Sequence, residues 1–378
     1  MESLATTVAT TRLDHIAANL AGVRARVGGR LVLAAVKANA YGHGAVEVAR
    51  LIEATASADW LGVATAGEAI ELRDAGVRLP ILKLSHALDD AHVAACVERD
   101  VDLTVVDAAG IDRVARVAAG LGRAASVHLK VDTGMRRIGC EPADAPALAR
   151  RADAAGLRLR GLFSHLPVSD TEAGRAFTEA QIARFAAVAD AVAAARGRVE
   201  IVHLANSGAV LMHPGAWFDL VRPGIMIYGS KPDPATSATV PLLPGLEWTS
   251  RVSFVKRVAA GETVGYGRTW APARATTIAT IPVGYGDGFS RLLSNRGRVL
   301  IGGASFPIVG RICMDQAMID VGPDAAVAAG DTVTLVGRQG AEQITVTELA
   351  ALMGTIPYEV TCLITGRVGR AFEPPAGA

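Results

Sequence analysis

Lys37 stands directly after an apolar run, "LVLAAV" (31–36), and before small residues, Tyr41, Gly42 and Gly44. Burial disfavours the charged form of a lysine, so an amine delivered by an apolar strand is available as a nucleophile or base. Other polar residues follow apolar runs in the same way. Lys130 lies in "HLKVDTGMRRIG" with Arg137 in the loop after it, and His165 closes "LFSHLP". Asn206 and Ser207 follow "VHLA", while Arg222, Gly224 and Ile225 lie in "LVRPGIMIYG". The Ser207 hydroxyl and glycine-flanked backbone N–H groups are the makings of an anion site.

These residues need elements that bring them together. Eight apolar runs occur at 31–36, 60–64, 80–84, 102–106, 126–131, 159–164, 199–203 and 225–228. Between them lie stretches such as "AVEVARLIEATA" and "EAQIARFAAVADAVAAAR", with apolar residues at i, i+3, i+4 and i+7. Eight strands alternating with helices predict an N-terminal (β/α)8 TIM-like barrel over residues 1–240, of α/β class. A doubly wound open sheet is the competing reading, and the count of eight favours the barrel. A proline-rich linker, "GSKPDPATSATVPLLPG", separates this from short strands and Gly-rich turns over 241–378, a mostly β C-terminal domain. "QITVTEL" is read as one of those strands.

A barrel gathers the carboxyl ends of its strands at one mouth, where active sites sit. Lys37, Lys130, Arg137, His165, Asn206, Ser207, Arg222, Gly224 and Ile225 all map there. The loops after strands seven and eight commonly bind phosphate. A lysine opposite a phosphate site suggests a phosphorylated aldehyde held as a Schiff base, and pyridoxal 5'-phosphate (PLP) fits both ends.

The composition narrows the classes. The 378 residues are 51% hydrophobic and 20% charged, enough apolar content for large cores. The net charge of +1 makes no electrostatic case for nucleic acid or an anionic membrane. No apolar window approaches a transmembrane length, and the start, "MESLATTVATTRLDH", lacks signal-peptide character. The four scattered cysteines have no metal-ligand spacing, so a reduced cytoplasmic protein without a metal is expected. Asp132 reads as a loop-capping group, and His43 with Gly44 as a turn.

"AAVKANAYGHG" resembles the PLP-attachment motif of the alanine racemase family. "HLKVDTGMRRIG", "SH", "ANSGA", "VRPGIMIYG", "VGYGRTW", "PVGYGDGF", "VGRICMDQ" and "TIPYEV" continue that resemblance in the family's order. It implies a PLP-dependent racemase interconverting L- and D-alanine for peptidoglycan. Lys37 is then the PLP lysine and one base, and Tyr266 the opposite base, reaching in from the second subunit of a homodimer. Tyr41, Ser207, Gly224, Ile225 and Tyr358 hold the phosphate, with Asn206 beside them. Arg222 faces the pyridine nitrogen with His165 behind it. Lys130, carbamylated in many members, orients Arg137 toward the substrate. Met314 and Asp315 line the partner side, and Tyr285 narrows the approach.

Tyrosine ionises near pH 10, about as high as free lysine, so Tyr266 needs cationic surroundings to act as a base. The sequence departs from the family at Leu166-Pro167-Val168-Ser169 and in "LITGRVGR". A serine or broad-specificity racemase is the alternative reading. A PLP decarboxylase would carry cysteine and histidine blocks absent here, and a non-catalytic PLP-binding chain would lack the domain that supplies Tyr266.

Overall fold

The protein is described by a computed structural model covering residues 5–324 and 326–375. The chain divides into two compact units. One holds Ile16–Tyr41 and Ala45–Leu243; the other holds the chain up to His15, Gly42–Gly44, and everything from Pro244 onward.

The first strand, β1 (Val8–Arg12), belongs to the second unit. The next eight close a parallel barrel in sequence order: β2 (Leu31–Ala35), β3 (Trp60–Val63), β4 (Ile81–His86), β5 (Val101–Val105), β6 (Ser126–Lys130), β7 (Arg158–Phe163), β8 (Ile201–His203) and β9 (Leu220–Val221). Parallel strands are buried on both faces, which is why they read as continuous apolar runs. Every residue of β3 and β5 is buried. Leu33, Trp60, Leu82, Ile201 and Leu220 pack together within the barrel. Helix starts are set by side-chain caps. Thr65 accepts from the Glu68 N–H ahead of Ala66–Asp74, while Asp89 and Asp107 cap Asp90–Val97 and Ala108–Gly120.

The eighth barrel strand is not where the apolar run at 225–228 predicts it. That run is a 3-10 turn, Ile225–Tyr228, closed by Gly229 at φ 85°. The strand is the two-residue β9 just before it. Pro223 has no N–H to give a ladder, which ends the strand.

In the second unit the remaining strands are β10 (Leu246–Arg251), β11 (Phe254–Val258), β12 (Thr276–Ile281), β13 (Arg298–Ile301), β14 (Ala304–Pro307), β15 (Ala317–Gly322), β16 (Thr332–Gln339), β17 (Glu342–Ile344) and β18 (Gly369–Glu373). One sheet runs β14-β13-β16-β10-β1-β18, with β17 on β16, and a second runs β11-β12-β15. β10 and β15 alternate buried and half-exposed residues, the period of a one-faced sheet. Trp248 and Phe289 meet edge-on at 5.7 Å within this core. Two differences from expectation arise here. The expected N-terminal domain began at residue 1, but β1 lies between β10 (antiparallel) and β18 (parallel). "QITVTEL" is a strand only through Ile344. Thr345 then caps a helix, Val346–Met353, that ends at a left-handed Gly354. Among the described residues no helix is long and apolar enough to cross a membrane.

Candidate active site

Lys37 begins an unusual turn. Ala38, Asn39, Ala40 and Tyr41 all adopt left-handed backbone, with φ between 51° and 54°. Each such L-residue costs roughly 1–2 kcal/mol, so neighbours must hold the turn in place. They do: Glu68 Oε1 accepts from the Ala38 N–H at 2.7 Å, and Val36 O accepts from the Ala40 N–H at 2.7 Å. Asn39 Oδ1 accepts from the Ala45 N–H at 2.7 Å, which fixes the start of the following helix. The small residues after Lys37 serve this turn.

Cations converge at the barrel mouth. Lys130 ends β6 and is 6% exposed. Burial first, and then Arg137, Arg222 and Lys37, pull its amine down to about 8, against a smaller opposing effect of Asp132. His165 is held well below its ordinary range by burial and then by Arg222, Arg137, Lys130 and Lys37. Lys37, Lys130, Arg137 and Arg222 therefore all act on one half-buried imidazole. Arg222 Nη2 donates to the carbonyls of Ser164 (2.8 Å) and Leu204 (3.0 Å), and reaches His165 Nδ1 at 3.3 Å. Burial pushes its guanidinium down to about 9, still charged at neutral pH. The Lys130 ammonium and the Arg222 guanidinium each lie 5.4 Å from the Phe163 ring centre. Asp132 Oδ1 accepts from the Gly134 N–H at 2.8 Å, the loop-capping role expected of it.

A second cluster joins Tyr41, Ser207 and Gly224. Ser207 Oγ accepts from the Gly224 N–H at 2.8 Å. A Cβ added at Gly224 would meet the Tyr41 hydroxyl at 2.5 Å, so glycine is what lets the two approach. Ile225 follows at the head of its 3-10 turn. Asn206, expected beside the cofactor, spends its side chain on capping. Its Oδ1 accepts from Ala209 N–H (3.1 Å) and Ser169 Oγ (2.7 Å), and its Nδ2 donates to Leu166 O (3.0 Å). The unusual Leu166-Pro167-Val168-Ser169 segment thus supports the Ser207 helix.

The remaining expected residues belong to the second unit. Tyr266 sits between Gly265 and Gly267, both at positive φ, and is 72% exposed. The Arg311 guanidinium packs against Gly267, where a Cβ would lie 3.3 Å from its central carbon. Tyr285 and Met314 are brought together by backbone: Tyr285 N–H donates to Cys313 O (3.1 Å) and Gly286 N–H to Met314 O (2.9 Å). Asp315 pairs with Arg367 at 2.7 Å, and Asp287 with the same arginine at 3.3 Å. Tyr358 is half-buried on the short helix Pro357–Cys362.

Several residues were not anticipated. Glu68 braces the lysine turn, Arg367 braces Asp315, and His128, His203 and Asp102 lie inside the barrel. His128 and Lys130 are two residues apart on β6, hence on one face, and that spacing in "SVHLKV" was the available signal.

Residues 11–232 match the family model described as alanine racemase, N-terminal domain, and residues 245–372 match that described as alanine racemase, C-terminal domain. The chain is 51% identical over 359 residues to an alanine racemase of Cutibacterium acnes, covering 95% of each. It is 43% identical over 374 residues to one of Symbiobacterium thermophilum, covering 98% of each. An alanine racemase structure from Clostridium difficile 630 superimposes with a TM-score of 0.93 at 33% identity, covering 99% of this chain and 97% of that one. One from Bacillus anthracis with bound L-Ala-P gives 0.92 at 33% identity, covering 99% and 96%.

Proposed function

The chain belongs to the alanine racemase family, and from that premise we propose that it interconverts L-alanine and D-alanine with PLP as its cofactor. The observation that carries this reading is the gathering of Lys130 and Arg222 at the barrel mouth, each 5.4 Å from the Phe163 ring centre, with Arg222 Nη2 3.3 Å from His165 Nδ1. Such a field suits a substrate carboxylate. The residues present fit the cofactor. Tyr41 and Ser207 bring hydroxyls to a backbone that only a glycine at 224 leaves accessible.

Lys37 would hold the cofactor through its amine, and Tyr41, Ser207, Gly224 and Ile225 would hold its phosphate. When bound, PLP supplies an electron sink for the pair left at Cα on deprotonation. Lys37 takes or returns the proton on one face of Cα, and Tyr266 of the partner subunit acts on the other. A base that serves another subunit has to project from its own, and Tyr266 is 72% exposed with Met314 at 52% and Tyr285 at 43%. The Arg311 guanidinium packs beside Gly267, the residue after Tyr266. Arg137 receives the substrate carboxylate, while Met314 and Asp315 line the approach and Tyr285 narrows it.

Lys130 is carbamylated in this reading. Its lowered pKa leaves a share of neutral amine to add CO2, and the resulting anion offsets the crowded cations. Arg222 stays protonated and acts only as a donor, so a pyridine nitrogen held against it would stay unprotonated. That limits electron withdrawal and protects racemisation against transamination. The assembly is a homodimer, and the product D-alanine serves peptidoglycan synthesis in the cytoplasm.

The experiment is purified protein with PLP and a panel of L-amino acids, read as enantiomer ratios. Alanine racemised far faster than serine is the expected result. Comparable rates on serine would replace the alanine assignment with a broad-specificity one. No turnover by a yellow, PLP-loaded protein would leave a cofactor-binding chain.

A further inference from the structure

Four buried groups form one hydrogen-bonded line inside the barrel. Arg222 Nη1 lies 3.0 Å from His203 Nδ1, His203 Nε2 lies 2.9 Å from His128 Nδ1, and His128 Nε2 lies 3.2 Å from Asp102 Oδ2. Arg222 follows β9, His203 ends β8, His128 is central in β6, and Asp102 is near the start of β5. The line therefore descends from the mouth toward the amino-terminal end of the strands. Both histidines are fully buried, and Asp102 and Arg222 are nearly so.

The two ends of this line fix its middle. A guanidinium can only donate, and a carboxylate can only accept. Arg222 must donate to His203 Nδ1, so that nitrogen is bare and the His203 proton sits on Nε2. That proton is donated to His128 Nδ1, which is bare in turn, and His128 Nε2–H donates to Asp102. With both rings neutral, one arrangement of protons satisfies all three bonds. The reversed arrangement would set an N–H of His203 against an N–H of Arg222. Burial and the Arg222 charge keep His203 well below its ordinary range, in agreement with a neutral ring. Among the described residues the acceptors of Arg222 are two carbonyls and two imidazoles, with no carboxylate. Asp102, which also takes both oxygens to Arg160 at 3.3 Å, is the anion at the far end of its line. In a medium of low dielectric such a chain polarises along its length, and outer partners of this kind orient the group they support.

We propose that Asp102 and His128 are positioning residues which, through His203, hold the Arg222 guanidinium charged and fixed in orientation at the barrel mouth. The consequence for catalysis rests on the reading of Arg222 as the residue that faces the cofactor ring. The proton pattern does not.

Neutron diffraction from deuterated crystals of the holoenzyme tests the line directly. Deuterium on Nε2 and none on Nδ1 of both His128 and His203 is expected. Deuterium on Nδ1 of either ring overturns the proposal. Asp102→Asn then tests the consequence, because it removes the charge at constant size. Its kcat for alanine should fall roughly tenfold or more with little change in KM. A folded, PLP-loaded Asp102→Asn enzyme with a lowered Tm but the parent's kcat would assign a purely structural role and overturn the proposal. Should that variant not fold, the deuterium positions in the parent still decide. A parent without racemase activity would end the proposed function while leaving the proton pattern to be judged on its own.

Discussion

Gly161 on β7 faces the ring of His128 on β6 so closely that a Cβ at position 161 would overlap the imidazole. The side chain missing at 161 is therefore what gives His128 its place. Gly161→Ala should displace His128 and cost about 1–3 kcal/mol of stability through overpacking. Denaturant unfolding measures the cost. Combined with Asp102→Asn, the effect on kcat should be less than additive, because both act on one line. A Gly161→Ala protein as stable and active as the parent would contradict the fixed position of His128.

Gly224→Ala should weaken the cofactor site without unfolding the barrel. The new methyl would stand 2.5 Å from the Tyr41 hydroxyl, so the hydroxyl or the backbone must shift. Titration of the apoprotein with PLP, followed by absorbance, should show weaker binding at nearly unchanged Tm. Unaltered PLP affinity would remove Gly224 from the phosphate cradle.

Carbamylation of Lys130 should follow pH with a definite sign. Burial, Arg137 and Arg222 lower its pKa to about 8. Below that pH the amine is protonated and inert toward CO2; above it the amine is neutral and reactive. Carbamate formation from 13C-bicarbonate should therefore rise as pH passes upward through about 8 and then level, as read by 13C NMR. An unmodified Lys130 well above that pH would contradict the assignment.

Arg222→Glu should loosen reaction specificity. A carboxyl group can share or give up a proton where a guanidinium does not. The variant should racemise alanine more slowly and release more pyruvate, measured with a coupled lactate dehydrogenase assay. No rise in pyruvate would mean that Arg222 does not guard against transamination.

The barrel was legible because its strands are buried on both faces and read as unbroken apolar runs. The eighth was misplaced because β9 is only two residues long and the stronger run "IMIY" follows it. Lys37, Lys130, His165 and Arg222 could be picked out because each ends or follows a strand. His128 and His203 were passed over because their partners, among them Trp60, Phe163, Asp102 and Arg222, come from other strands of the barrel. The left-handed turn at 38–41 was hidden, since "ANAY" has no glycine and its conformation depends on Glu68, far along the chain. The place of β1 was equally hidden, because "VATTR" finds its partner strands at the other end of the sequence.

The two-base assignment is tested most directly by Tyr266→Phe in D2O, with L-alanine and D-alanine supplied separately. Racemisation should fall by at least ~100-fold in both directions. Deuterium should still exchange into the Cα of the one enantiomer that Lys37 serves. Racemisation at the parent's rate in both directions would contradict the account.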